Sequence, residues 1–192
     1  MGTISVKKTK SRSSFWKLLL SITICEVMVL VGYVVSQADT NLWYITLNKP
    51  SWNPPAYLFG PIWMFLYLLM AIAIWFIWQT SVIESKKITA ELVFAFQLFL
   101  NFGWSILFYR FHTLSISFYV IILLMCLIIY NILLFRRIYK FSAWLLLPYL
   151  LWISYIATVN YEILQLNKSI NIEDHLLNYN KGNSPWRNAL DI

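Results

Sequence analysis

Residues 57–80 read YLFGPIWMFLYLLMAIAIWFIWQT, a stretch without a single charged side chain. A helix rises about 1.5 Å per residue, so about 20 mainly apolar residues cross a hydrocarbon layer of about 30 Å. The run is long enough. Four others match it in length and are mainly apolar: Phe15–Ser36, Ile88–Tyr109, Leu114–Phe135 and Phe141–Leu166. Transmembrane β-strands would be about 10 residues long and alternate in polarity, which these runs do not. Lipid offers no partner for backbone N–H and C=O groups, so segments of this kind must satisfy them internally as helices. The expected fold is all-α, an integral membrane bundle of five transmembrane helices.

Composition agrees. Hydrophobic residues make up 60% of the 192 and charged residues 12%, against roughly 25% charged in soluble domains; mean hydropathy is +0.65. The net charge of +7 does not indicate nucleic acid, because the basic residues sit in short clusters between apolar runs. The first run is too long for a signal peptide and no small-residue cleavage site closes it, so it reads as a retained span. The Met1-Gly2 start lacks Ser or Thr at position 6, which argues against myristoylation. Three regions result: a basic tail over 1–14, the transmembrane domain over 15–167, and a polar tail over 168–192, with Gly182, Asn183 and Pro185, that reads as disordered or loosely attached.

Basic residues also set the expected orientation. Lys7, Lys8, Lys10, Arg12, Lys17, Lys86, Lys87, Arg136, Arg137 and Lys140 fall on one face, against Lys49, Arg110, Lys168, Lys181 and Arg187 on the other. The richer face is expected to be cytoplasmic, with the N-terminus inside and the C-terminus outside. Loops two to four are short, so consecutive helices are expected to be antiparallel neighbours.

The first loop, 37–56, is longer and contains Trp43-Tyr44-Ile45-Thr46-Leu47-Asn48-Lys49-Pro50-Ser51-Trp52-Asn53-Pro54-Pro55. Its prolines fix φ and remove donors, so it is expected to be neither helix interior nor floppy tether. Trp43, Tyr44 and Trp52 suit an interfacial aromatic belt, but a belt needs neither a proline scaffold nor a lysine at a fixed place.

Trp43-Tyr44, Lys49-Pro50, Trp52, Pro54-Pro55, Phe59-Gly60-Pro61, Trp63 and Leu66-Tyr67 occur in that order. They are followed by Gln97-Leu98, Asn101, Trp104-Ser105, Phe108, Pro148-Tyr149-Leu150, Trp152, Asn160 and Leu166-Asn167. This ordered set resembles the translocator protein family, whose members are also called tryptophan-rich sensory proteins or peripheral benzodiazepine receptors. The resemblance implies a five-helix bundle with a cavity under the first loop. It further implies binding of tetrapyrroles such as protoporphyrin IX and haem, of cholesterol in some members, and of aromatic synthetic ligands, often in a homodimer. The chain departs from the pattern at Tyr57, where the family usually has Trp, and at Leu164-Gln165, where a Trp-Arg pair is frequent. The second change removes the motif associated with cholesterol, so sterol binding is not expected.

Helical spacing gives the same picture residue by residue. Gln97, Asn101, Trp104 and Phe108 share one face of span three; the two amides line a cavity or merely bridge helices. Trp63, Tyr67, Met70, Ile74 and Trp78 form a stripe on span two that serves packing, a pocket wall, or both. Span five presents Tyr149, Trp152, Ile156 and Asn160, with Pro148 expected to break its hydrogen-bond ladder. Glu26, Tyr33 and Gln37 align on span one, and Glu26 is either functional or a neutral or paired structural carboxyl. Glu162 reads as solvated, His112 as a surface residue, and Cys25 and Cys126 as small apolar packers. The nominated ligand-binding residues are Trp43, Lys49, Pro50, Trp52, Tyr57, Trp63, Gln97, Asn101, Trp104, Tyr149, Trp152 and Ile156.

A flat apolar macrocycle gains about 0.5–1.5 kcal/mol per aromatic ring pair beyond burial. Its propionates require cations or amides, for which Lys49 and Asn53 are placed. The only histidines, His112 and His175, lie off the candidate faces, so no permanent haem cofactor, and no cofactor at all, is expected. The expected function is a membrane receptor, sensor or carrier for porphyrin-type molecules. A tetrapyrrole-degrading enzyme using tryptophan-assisted photochemistry is one alternative, although no nucleophile–base–orienter set is visible. A small-molecule permease is another, although paired interrupted helices are missing. Ala95 and Gly103 do not form a small-xxx-small seam, so the homodimer rests on resemblance. Without an arginine-rich transit segment, a plasma membrane is the expected location.

Overall fold

The computed structural model describes residues 11–37, 40–81 and 84–182, with side chains described over 14–34, 43–81 and 84–168. The elements are α1 (Ser11–Gln37), α2 (Thr40–Thr46), α3 (Ala56–Gln79), α4 (Glu84–Ser105), α5 (Leu114–Ile138), α6 (Lys140–Leu145) and α7 (Leu147–Gly182). Five helices are long and apolar enough to cross a membrane, the last span being α6 and α7 together. Among the described residues there is no strand. Residues 1–10 of the basic tail, residues 183–192, and the side chains of Gln37 and His175 lie outside what is described.

Large apolar side chains on the outward faces, such as Leu20, Val27, Val34, Phe65, Leu92, Phe99 and Leu151, are exposed. Hydrocarbon is the solvent that accepts such a surface. The interior is built by Tyr67, Met70 and Ile74 of α3, Phe94, Leu98 and Trp104 of α4, Ile121, Leu124 and Ile128 of α5, and Tyr149, Ile153 and Ile156 of α7.

Four sequence expectations are corrected. Spans two and three are not packed neighbours: α1 packs on both α3 and α4, α3 continues onto α6, and α5 joins α4 to α6 and α7, while α3 and α4 touch only sparsely. Five Cα steps from Gln79 to Glu84 reach about 17 Å, enough to pass a helix set 8–10 Å away. The first loop is partly helical: its three prolines all follow Thr46, so they leave α2 free to form. The polar tail continues α7 as helix to Gly182, since no proline or glycine interrupts 168–181. Cys126 is exposed on the outer surface, unlike the buried Cys25; both are free thiols.

Pro148 acts as the sequence suggests. It lies at the start of α7, after a turn in which Leu146 N–H bonds back to the Ala143 carbonyl at 3.2 Å. Span three ends in a wider π-turn over Ile106–Arg110, closed by Phe111 N–H on the Ile106 carbonyl at 3.0 Å. His112 then takes a left-handed φ of 55° to turn the chain into α5, a conformation uncommon outside glycine, though histidine is one of the residues enriched in it.

Candidate ligand-binding cavity

The α2 segment and the prolines after it form a cap over one end of the bundle. Trp43 stacks on His112 with ring centroids 4.1 Å apart and meets Phe108 edge-on at 5.8 Å. Tyr44 packs edge-on against Phe108 and Tyr109, and its hydroxyl donates to Asn53 Oδ1 at 3.2 Å. Burial holds the Tyr44 phenol above its ordinary pKa, with the Asn53 bond opposing the shift. Lys49 folds back: its ammonium donates to the carbonyls of Tyr44, Leu47 and Ile45 and lies over the Tyr44 ring. It thereby satisfies orphan carbonyls at the end of α2, and desolvation lowers its pKa.

Span five latches this cap. The Asn167 amide pairs with the Asn48 backbone in both directions, accepting from N–H at 3.1 Å and donating to C=O at 2.9 Å. Tyr155 donates from its hydroxyl to the Trp52 carbonyl at 2.8 Å.

Beneath the cap, α1, α3 and α4 enclose a cavity of about 370 Å³, within the range of small-molecule sites. Its aromatic wall comes from Tyr44, Phe59, Trp63, Tyr67, Trp104 and Tyr109. Met28, Val29 and Gly32 line the α1 side, and Phe102 and Ser105 the α4 side. None of the described lining residues is charged. The amide of Asn101 is its chief internal polar group. Asn101 Nδ2 donates to the Tyr149 hydroxyl at 2.6 Å, deep in the bundle.

The nominated residues divide accordingly. Trp63, Asn101 and Trp104 line the cavity, and Tyr149 stands behind it as the partner of Asn101. Gln97 is fully buried but accepts from Asn131 Nδ2 at 3.1 Å, so it bridges α4 to α5 and is not among the lining residues. Trp152 packs against Phe59 and Tyr155; its buried indole N–H lacks a protein partner. Ile156 borders a crevice of about 10 Å³ with Asn160 and Ile163. Trp43, Lys49, Pro50 and Trp52 belong to the cap. Tyr57 is 76% exposed and is not among the lining residues. Asn160, in the orientation that satisfies both amide atoms, accepts from Trp104 Nε1 and donates to the Leu114 carbonyl, each at 3.2 Å.

Sequence reasoning missed Met28, Val29, Gly32, Tyr44, Phe59, Gly60 and Ser105 as lining residues, while Tyr67, on the span-two stripe read as packing or pocket wall, serves both. The glycines carried a signal: a helix interior disfavours glycine by about 1 kcal/mol relative to alanine, and Gly32 and Gly60 both face the cavity. Glu26 is partly buried and is not among the lining residues. Among the described residues no three His, Cys, Asp or Glu side chains gather as a metal site.

A family model described as the TspO/MBR family matches residues 21–166. The chain is 36% identical over 150 residues to the tryptophan-rich protein TspO of Chlorobaculum tepidum, covering 78% of this chain and 95% of that one. It is 33% identical over 127 residues to the translocator protein of Ovis aries, covering 66% and 75%. It is 28% identical over 153 residues to the tryptophan-rich sensory protein of Cereibacter sphaeroides, covering 79% and 92%.

Proposed function

The chain belongs to the TspO/MBR family, and from that premise we propose that its capped cavity holds a porphyrin-type tetrapyrrole. Membership supports a membrane role as sensor, receptor or translocator. The cavity's composition supports the finer reading: indole, phenol and phenyl rings surround a space with one buried amide and no charge. Such a wall favours a flat aromatic ligand through burial and ring contacts of about 0.5–1.5 kcal/mol each. Among the nominated residues, Trp63, Asn101 and Trp104 form the contact set, joined by Tyr44, Phe59 and Tyr67. Tyr149 orients Asn101, and Trp43, Lys49, Pro50 and Trp52 hold the roof.

Titration of protein in lipid nanodiscs with protoporphyrin IX, read by tryptophan fluorescence, tests this reading. Saturable quenching is expected. Trp63→Leu and Asn101→Leu each weaken it by about tenfold, the cost of one lost contact near 1.4 kcal/mol. Affinity unchanged in both variants, with the fold intact, rejects the site. The N-terminus is placed in the cytoplasm on the basis of the lysine and arginine bias, which sets the cap on the opposite face of the membrane.

A further inference from the structure

We propose that the cavity is reached sideways from the bilayer, through an opening between α1 and α3, and not through the cap. This deepens the reading of the cavity as a ligand site by naming the phase from which its ligand comes. The cavity lining includes Leu30 and Tyr33 of α1 and Met64 of α3, which are 57%, 54% and 52% exposed. Side chains that face both the cavity and the outer surface of a transmembrane helix mark where the wall is open. Their outward neighbours, Val27, Val34 and Phe65, are exposed apolar residues, so the rim meets hydrocarbon.

Two glycines make the gap. A Cβ built on Gly60 meets nothing within 4 Å, and one on Gly32 meets only Ser105 Oγ at 4.0 Å. At the other end of the same helix pair the wall is shut: Trp75 Nε1 donates to the Ser14 carbonyl at 3.0 Å and Gln79 Nε2 to Ser14 Oγ at 2.7 Å. The cap side is latched by the Asn167–Asn48 and Tyr155–Trp52 bonds described above. A molecule dissolved among acyl chains thus meets an apolar opening, whereas one dissolved in water meets hydrogen-bonded backbone. The ligand class is a flat aromatic that partitions into lipid; polyanionic analogues confined to water are excluded.

The test uses thiol labelling of Ser105→Cys in the Cys126→Ala background, in phosphatidylcholine nanodiscs, with the parent lacking Ser105→Cys as the measure of Cys25 reactivity. The probes are bilayer-dissolved N-(1-pyrenyl)maleimide and the water-confined sulfonatoethyl methanethiosulfonate. The maleimide is expected to react, and the charged reagent to react at least about tenfold more slowly, given the cost of carrying a charge through hydrocarbon. Adding Gly60→Phe or, as an independent second variant, Gly32→Leu plugs the gap and slows maleimide labelling by about fivefold or more. Adding Asn167→Ala loosens the cap and leaves the maleimide rate within about twofold. Comparable rates for the two reagents, labelling by neither, or acceleration by Asn167→Ala without an effect of the glycine variants overturns the route. Protoporphyrin IX titration of the same discs reads the ligand separately: absent quenching rejects the tetrapyrrole while the labelling pattern still decides the opening.

Discussion

Asn101 and Gln97 sit one helical turn apart on α4, both buried, and they do different things because their partners come from different helices. Asn101 reaches Tyr149 at the cavity, whereas Gln97 reaches Asn131 of α5. Interhelical bonds of this kind contribute about 0.6 kcal/mol and at most about 1.7. Gln97→Leu is therefore expected to destabilise the bundle by roughly that amount in reversible denaturation from mixed micelles, with protoporphyrin affinity unchanged. Combining it with Asn131→Leu should recover most of the loss, because no orphaned amide remains. Helical periodicity put both amides on one inward face but had no means of separating them. The deciding contacts lie 34 and 48 residues away in the chain. Lys49 shows the same limit. Its sequence position suits a propionate partner, yet its ammonium is engaged by the cap's own carbonyls. Lys49→Met should fray α2 and weaken binding of protoporphyrin IX and its dimethyl ester by the same factor. A loss confined to the diacid would instead assign Lys49 to the carboxylates.

At the scale of elements, the cap is an assembly with its own latch. Asn167 sits buried at the C-terminal end of span five and pairs its amide with the Asn48 backbone in both directions. Each such bond contributes about 0.5–1.5 kcal/mol. Asn167→Ala is expected to raise amide exchange over residues 43–53 by about tenfold, leaving α4 and α5 protected; unchanged exchange there would mean that Trp43 stacking alone holds the cap. The spans themselves were legible from apolar length, and the break at Pro148 from proline's missing donor. The helix α2 was not, because the loop's three prolines all follow Thr46 and constrain only the residues beyond it. The π-turn at Ile106–Arg110 was also hidden: it is fixed by a carbonyl–amide register that Thr113 supports from outside the helix, through both its N–H and its hydroxyl on the Leu107 carbonyl.

At the scale of the whole molecule, ring order explains why the cavity lies where it does. Span one is wedged between spans two and three, and the space those two do not fill is the cavity they share with it. Loop length alone favoured direct contact between spans two and three, so the order of the ring could not be read from the sequence, although the number of spans could. An odd number of spans puts the two ends of the bundle's chain on opposite faces. The cap shares a face with only five of the fifteen basic residues, and the orientation proposed from the lysine and arginine bias would put that face outside. A Lys49→Cys variant in the Cys126→Ala background should then react with a membrane-impermeant maleimide added to intact cells. A Lys86→Cys variant should react only after the cells are opened. Both residues stand outside the apolar runs, so reagent access depends on the side of the membrane and not on depth within it. Reversed accessibility of the two positions would invert the bundle and put the cap, with the opening beneath it, against the cytoplasmic leaflet.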